Sequence, residues 1–260
     1  MTLHSTHRPQ GMRVNRLLLT NDEEILVSGH IGEVCLWKSA DLLKLSSISA
    51  VGLPSNIVHH QAASFSCLAI SDLTDTKPQF LFTACYNDER DCDIRRWRLG
   101  QGLEQPRCVA TSPHEASYLP IFQLELSPNA TKVLTAHSSG RISLWDAETI
   151  KLEKLISFVD GSACVTCLVV DRKWTTFSAI SNSESTASGI FCYDLINNEE
   201  KRRFVCDALP QRMVYSHDGC HLIAGYSDGC IRKWNIRTGQ MHLIFRSGWG
   251  EESACGCAIF

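Results

Sequence analysis

Short apolar runs separated by small polar residues recur along the whole chain, and they come in pairs. Ile25-Leu26-Val27-Ser28-Gly29-His30-Ile31-Gly32-Glu33-Val34-Cys35-Leu36-Trp37 shows the pattern: one run, a turn carrying Gly, and a second run that closes on an aromatic. The same order returns in Phe80-Leu81-Phe82-Thr83-Ala84 through Ile94-Arg95-Arg96-Trp97, and in Val133-Leu134-Thr135-Ala136-His137 through Leu144-Trp145-Asp146. It returns again in Thr176-Phe177-Ser178-Ala179-Ile180 through Tyr193-Asp194, and in the stretch ending Cys230-Ile231-Arg232-Lys233-Trp234. The closing aromatics Trp37, Trp97, Trp145, Tyr193 and Trp234 are therefore 60, 48, 48 and 41 residues apart. Runs this short, rich in β-branched and aromatic residues and bounded by Gly and Asp, predict two-stranded hairpins rather than helices. In the last of them the turn is Ser227-Asp228-Gly229, where Asp-Gly suits the positive φ angles of a tight hairpin.

Each hairpin is preceded by another apolar run: Val14 to Leu19, Phe65 to Ile70, Ile121 to Leu126, Cys164 to Val170 and Arg212 to Tyr215. A fourth run follows some of them, as in Leu152 to Phe158 and Met241 to Phe245. Four short strands every 40 to 60 residues is the period of a β-propeller blade. With Trp145-Asp146 closing the third strand of one unit, the chain resembles the WD-repeat (WD40) family from about Gly11 to Phe260. Trp234-Asn235, Tyr193-Asp194, Trp37-Lys38 and Trp97-Arg98 depart from the literal Trp-Asp pair.

The resemblance implies an all-β, WD40-type propeller. A tail over residues 1–10 would precede blades at about 11–50, 62–112, 120–159, 162–206 and 210–246. Residues 252–260 would start a sixth blade, because Ser253-Ala254-Cys255-Gly256-Cys257 echoes the first strand beginning Ser162-Ala163-Cys164. Propellers of this family usually close with seven blades. Truncation of a longer chain is expected; a partner, a second copy or an abnormal closure are the alternatives. The family also implies a network of a histidine before the first strand, a Ser or Thr in the second, the Trp, and an Asp in the turn between strands two and three. His7, His60 and His114 are candidates for the first role and Asp228 for the last. No unit holds the full set, so apolar packing is expected to carry more of the load.

Composition narrows the function classes. A chain of 260 residues with 44% hydrophobic and 20% charged residues is that of a soluble globular protein. It carries 25 Lys and Arg against 28 Asp and Glu, which offers no general attraction to nucleic acid or to an anionic membrane, although Lys201-Arg202-Arg203 and Arg232-Lys233 form small basic clusters. No leader-like or membrane-spanning apolar run occurs, so the expectation is an intracellular protein, cytoplasmic or nuclear. Thirteen cysteines, an odd number scattered through apolar runs, read as free thiols acting as small hydrophobes. Cys164 and Cys167 form the one C-x-x-C, with no second pair to complete a zinc set, so neither metal nor cofactor is expected.

Gly225-Tyr226-Ser227-Asp228-Gly229 fits the G-x-S-x-G of a hydrolase's nucleophile elbow. That elbow needs a helix behind the serine, whereas Cys230 to Ile236 reads as a strand, so Ser227 is expected in a hairpin turn. Binding residues concentrate on loops held by a rigid scaffold. The long insertions are Ser46 to Ser64, Tyr86 to Cys92, Ser112 to Pro120 and Ser181 to Ser188, most of them where strand-two-to-three and strand-four-to-one loops emerge. A protein-binding surface is expected there, using Tyr86, Glu89, Arg90 and Tyr118, with Trp249 joining it. Trp234-Asn235-Ile236-Arg237 is also similar to the Trp-Asp-x-Arg box of WD-repeat substrate receptors of cullin-RING ubiquitin ligases, with Asn235 as the departure. The reading is a non-catalytic adaptor whose partners are other proteins in a complex; the alternative is such a substrate receptor, ahead of a hydrolase built on Ser227.

Overall fold

The structure is a computed structural model that describes residues 14–20, 23–30, 33–49, 64–71, 79–86, 92–99, 105–112, 121–137, 140–157, 164–182, 189–197 and 199–246. Among them the regular elements are all strands, arranged as five four-stranded antiparallel sheets. The first sheet holds β1 (Val14–Leu19), β2 (Ile25–His30), β3 (Glu33–Lys38) and β4 (Leu43–Ser49). The second holds β5 (Ser64–Ile70), β6 (Phe80–Tyr86), β7 (Cys92–Arg98) and β8 (Arg107–Thr111). The third holds β9 (Ile121–Leu126), β10 (Lys132–His137), β11 (Arg141–Asp146) and β12 (Leu152–Ser157). The fourth holds β13 (Cys164–Val170), β14 (Thr176–Asn182), β15 (Gly189–Asp194) and β16 (Glu199–Val205), and the fifth β17 (Pro210–Tyr215), β18 (His221–Tyr226), β19 (Cys230–Asn235) and β20 (Met241–Arg246). Every sheet follows chain order, which is the meander of a WD40-type blade.

The turns repeat as faithfully as the strands. Between the first two strands, Glu23, Ala130, Trp174 and Gly219 each take a left-handed backbone and donate their N–H to the carbonyl three residues earlier, on Thr20, Ser127, Asp171 and Ser216. Between the last two strands, Leu42, Ile150 and Gly239 are left-handed, each donating to the carbonyl four residues back. The Ser227-Asp228-Gly229 turn differs from the sequence expectation in one respect. Gly229 alone has positive φ, and its N–H donates to the Tyr226 carbonyl at 3.1 Å. This is the three-residue hairpin with glycine in its left-handed position, so Asp228 needs no unusual conformation.

Residues 1–135 and 143–154 form one compact unit, and residues 136–142 and 155–260 form another. Within the first unit β1 lies beside β5 and β5 beside β9, so the leading strands of successive sheets adjoin. The guanidinium of Arg16 on β1 donates to the Phe122 carbonyl on β9 at 3.2 Å. Val27, Val34, Leu36 and Ile48 of the first sheet pack with Leu68, Leu81 and Leu99 of the second. The opposite face of the second sheet supplies Phe82, Ala84 and Ile94 to Ile121, Leu124, Val133, Trp145 and Ile150 of the third. In the second unit β13 adjoins β17, and Ile180, Ile190, Cys192 and Phe204 pack on Met213, Leu222, Ala224 and Tyr226. Each such large side chain contributes about 1.5–3 kcal/mol when fully removed from water, so these sandwiched faces dominate the stability.

Ser46 to Ser49, expected in an insertion, instead belong to β4, paired with Leu36 to Glu33. The polar serines hide the alternation, but Ile48 between them is buried against the second sheet and fixes the strand.

Candidate functional site

The residues that look like chemistry recur in the same arrangement in the first three sheets, and the register of the first shows why. In the first sheet Leu26 pairs with Trp37, so Ser28, two positions on, lies on the same face. The Trp37 indole donates to Ser28 Oγ at 2.7 Å, and that hydroxyl is 2.8 Å from His30 Nε2. In the second sheet Trp97 donates to Thr83 Oγ1 at 3.0 Å, and in the third Trp145 donates to Thr135 Oγ1 at 2.9 Å. The fourth and fifth sheets place alanine in that position: Ala179, two past the Tyr193 partner Phe177, and Ala224, two past the Trp234 partner Leu222. Trp234 instead donates to the Tyr226 hydroxyl at 2.7 Å, whereas Tyr193 stacks on Phe177 with ring centroids 5.1 Å apart.

A histidine joins the Trp–Ser pair of the first sheet. His7, His60 and His114 lie outside the described residues. His30, at the end of the second strand, is bonded to Ser28, and burial lowers its pKa. The spacing Ser28-x-His30, repeated in Thr135-x-His137, is the signal that places serine and histidine on one face. Asp228 pairs with Arg232 at 3.2 and 2.5 Å and accepts the Cys230 N–H at 3.0 Å. Arg232 holds its carboxyl below the usual carboxylate range.

The acidic half of the Trp-Asp pair caps a turn. Asp146 Oδ1 accepts the Thr149 N–H and hydroxyl at 2.8 and 2.7 Å. Asp194 accepts the N–H groups of Ile196 and Asn197 at 2.8 and 2.9 Å and pairs with Lys201 at 2.9 Å, and its carboxyl is held far below the ordinary range, chiefly by Lys201. Asn235 does the same with its amide oxygen, taking the Thr238 N–H at 2.8 Å. The sequence departure at Asn235 therefore preserves the cap. Arg237, two residues on, is exposed, and its carbonyl accepts from Arg202 at 2.9 Å.

Ser227 sits in the β18–β19 turn, its N–H on the Leu209 carbonyl at 2.8 Å and its Oγ accepting the Leu209 N–H at 3.3 Å. A strand, β19, follows it where an elbow requires a helix. A second cluster is buried in the second unit, where Ser178 Oγ lies 2.7 Å from Tyr215 Oη and 3.1 Å from Cys192 Sγ. Burial pushes the Cys192 thiol up to about 11 and raises the Tyr215 phenol further, the opposite of an activated nucleophile. Cys35 is likewise pushed up to about 11 by burial, and Cys167 is buried too. Among the described residues no three His, Cys, Asp or Glu side chains gather as a metal site.

Of the expected binding residues, Glu89, Arg90, Tyr118 and Trp249 lie outside the described residues. Tyr86 closes β6, paired with Ser64 and Cys92, and its side chain is outside them as well. The basic clusters are largely neutralised: Lys201 by Asp194, Arg203 by Glu200 at 3.0 Å, and Arg232 by Asp228. No helix of the described residues is long and apolar enough to cross a membrane. Residues 208–235 match the family model for the WD domain, G-beta repeat; they take in β17, β18 and β19 of the fifth sheet, so the chain carries a WD40 repeat there.

Proposed function

We propose that this chain is a non-catalytic scaffold that holds other proteins together within a multiprotein complex. WD40 repeats generally mediate protein–protein interaction, and that coarse role follows from the matched repeat. The observation supporting the absence of catalysis is the fate of the hydroxyls: Ser28, Thr83 and Thr135 each accept an indole N–H, and Ser227 closes a hairpin. Residue types that would suggest a triad are spent on joining strands. The contact surface in this reading lies on the strand-two-to-three and strand-four-to-one loops, with Tyr86, Glu89, Arg90, Tyr118 and Trp249 as anchors. Alanine at Tyr86 and Tyr118 together then weakens a companion by more than ~1 kcal/mol in a binding titration; unchanged affinity removes this surface.

A second reading, substrate receptor of a cullin-RING ubiquitin ligase, is favoured by one detail. Asn235 caps its turn as Asp146 does, leaving Arg237 exposed in the box position. Loss of a cullin-RING adaptor on Arg237→Ala supports it, and retention of the same companions removes it.

A further inference from the structure

At one end of the fourth and fifth sheets, arginines of the fourth reach turns of the fifth. Arg172, in the β13–β14 turn, directs Nη1 to the His217 ring of the β17–β18 turn, 3.0 Å from Nε2 and 3.2 Å from Nδ1. Arg202 on β16 donates to the Arg237 carbonyl of the β19–β20 turn at 2.9 Å. The Ile236 N–H on the Cys220 carbonyl at 3.0 Å ties those two turns of the fifth sheet together, so both arginine contacts lie along one seam. Lys173 stands exposed beside Arg172.

Among the described residues, these cations lack the carboxylate partners that their neighbours have. Lys201 and Arg203, flanking Arg202, are paired with Asp194 and Glu200. Among the described residues no carboxylate reaches ion-pair distance of Arg172, Lys173 or Arg202. The nearby acids are committed to their own turns. Asp171 accepts the Thr175 and Thr176 N–H groups at 2.7 and 2.6 Å, and Asp218 accepts the Ser216 hydroxyl at 2.5 Å and the Cys220 N–H at 2.9 Å. The result is a row of cations without a carboxylate partner, two of them guanidinium forks that keep N–H groups beyond those given to His217 and the Arg237 carbonyl, in a planar geometry that suits a carboxylate.

We infer that this seam binds an acidic segment of a partner protein, with Arg172, Lys173 and Arg202 as its carboxylate contacts. The inference rests on the scaffold reading and adds a surface and a partner chemistry to it. A protein segment fits better than a nucleic acid. The formal charge of the whole chain is -3, and Asp171 and Asp218 interrupt the row, whereas a polyphosphate needs an extended positive track.

The test is fluorescence anisotropy of the full chain with a short Glu- and Asp-rich peptide, its Gln and Asn counterpart, and a single-stranded RNA oligonucleotide. The acidic peptide is expected to bind, the amide version not, and Arg172→Glu with Arg202→Glu to weaken binding about tenfold or more. Should that double variant not fold, as judged by its circular dichroism, Arg172→Gln with Lys173→Gln is expected to weaken binding in the same direction. Equal affinity for the two peptides, tighter binding of the RNA, or a folded variant with unchanged affinity overturns the inference. Stoichiometric native companions that survive the double variant overturn this seam alone and leave the scaffold standing; their absence from the wild-type chain overturns the scaffold.

Discussion

The first three sheets and the last two solve one problem with different atoms. In the first three a tryptophan is bonded to a serine or threonine of the second strand, and Trp145 is fully buried. In the fourth and fifth that position is Ala179 or Ala224. The fifth keeps its indole and brings Tyr226 to it, from the position that His30 holds in the first sheet; the fourth gives up the indole for Tyr193. Wherever the indole is kept, what is preserved is the satisfied donor, not the residue that satisfies it, because an unpaired buried N–H is costly whatever surrounds it.

The largest loss of stability is expected at the most buried anchor. Trp145→Ala should cost about 3–5 kcal/mol in urea unfolding, well above Tyr193→Ala, whose ring is partly exposed. Thr135→Val keeps the shape but strands the Trp145 N–H, and should cost about 1–3 kcal/mol. Tyr226→Phe strands the less buried Trp234 N–H and should cost about 1–2 kcal/mol; adding Ala224→Thr should recover part of that loss if the hydroxyl is what matters. No recovery would mean the phenol acts through packing. Gly239→Ala should cost about 1 kcal/mol, since φ there is 78° and a Cβ would meet the Arg202 guanidinium. At the small end lies pH. The Asp194 carboxyl is depressed in the folded chain, so its contribution is complete above the unfolded carboxylate pKa of about 3.9 and fades as pH falls through the folded value. Asp194→Asn should therefore flatten the acid limb of the stability curve relative to wild type, read as urea midpoints from neutral to acidic pH.

The strands were legible because their side chains alternate and their turns carry Gly, Asp and Ser. Pro210 is an instructive miss: β17 starts there rather than at Arg212, since proline is tolerated at a strand's first residue and its neighbour is a bulge. Asp146, Asp194 and Asn235 were visible as repeat marks, but that they cap the following turn emerges only from the backbone. Tyr226 was hidden for a physical reason. Its partnership with Trp234 depends on strand register and on a phenol long enough to replace a missing hydroxyl, and neither is encoded in a local pattern. The loop residues expected to bind partners carry no periodicity at all, so composition was the sole guide to them.

The scaffold account is tested most directly by purifying the endogenous protein under native conditions and weighing its companions by quantitative mass spectrometry. A scaffold should bring down one or more proteins in stoichiometric yield, recovered reproducibly at a size well above that of the 29.0 kDa chain. Recovery of the chain alone, together with a hydrolytic activity abolished by Ser227→Ala, would contradict it.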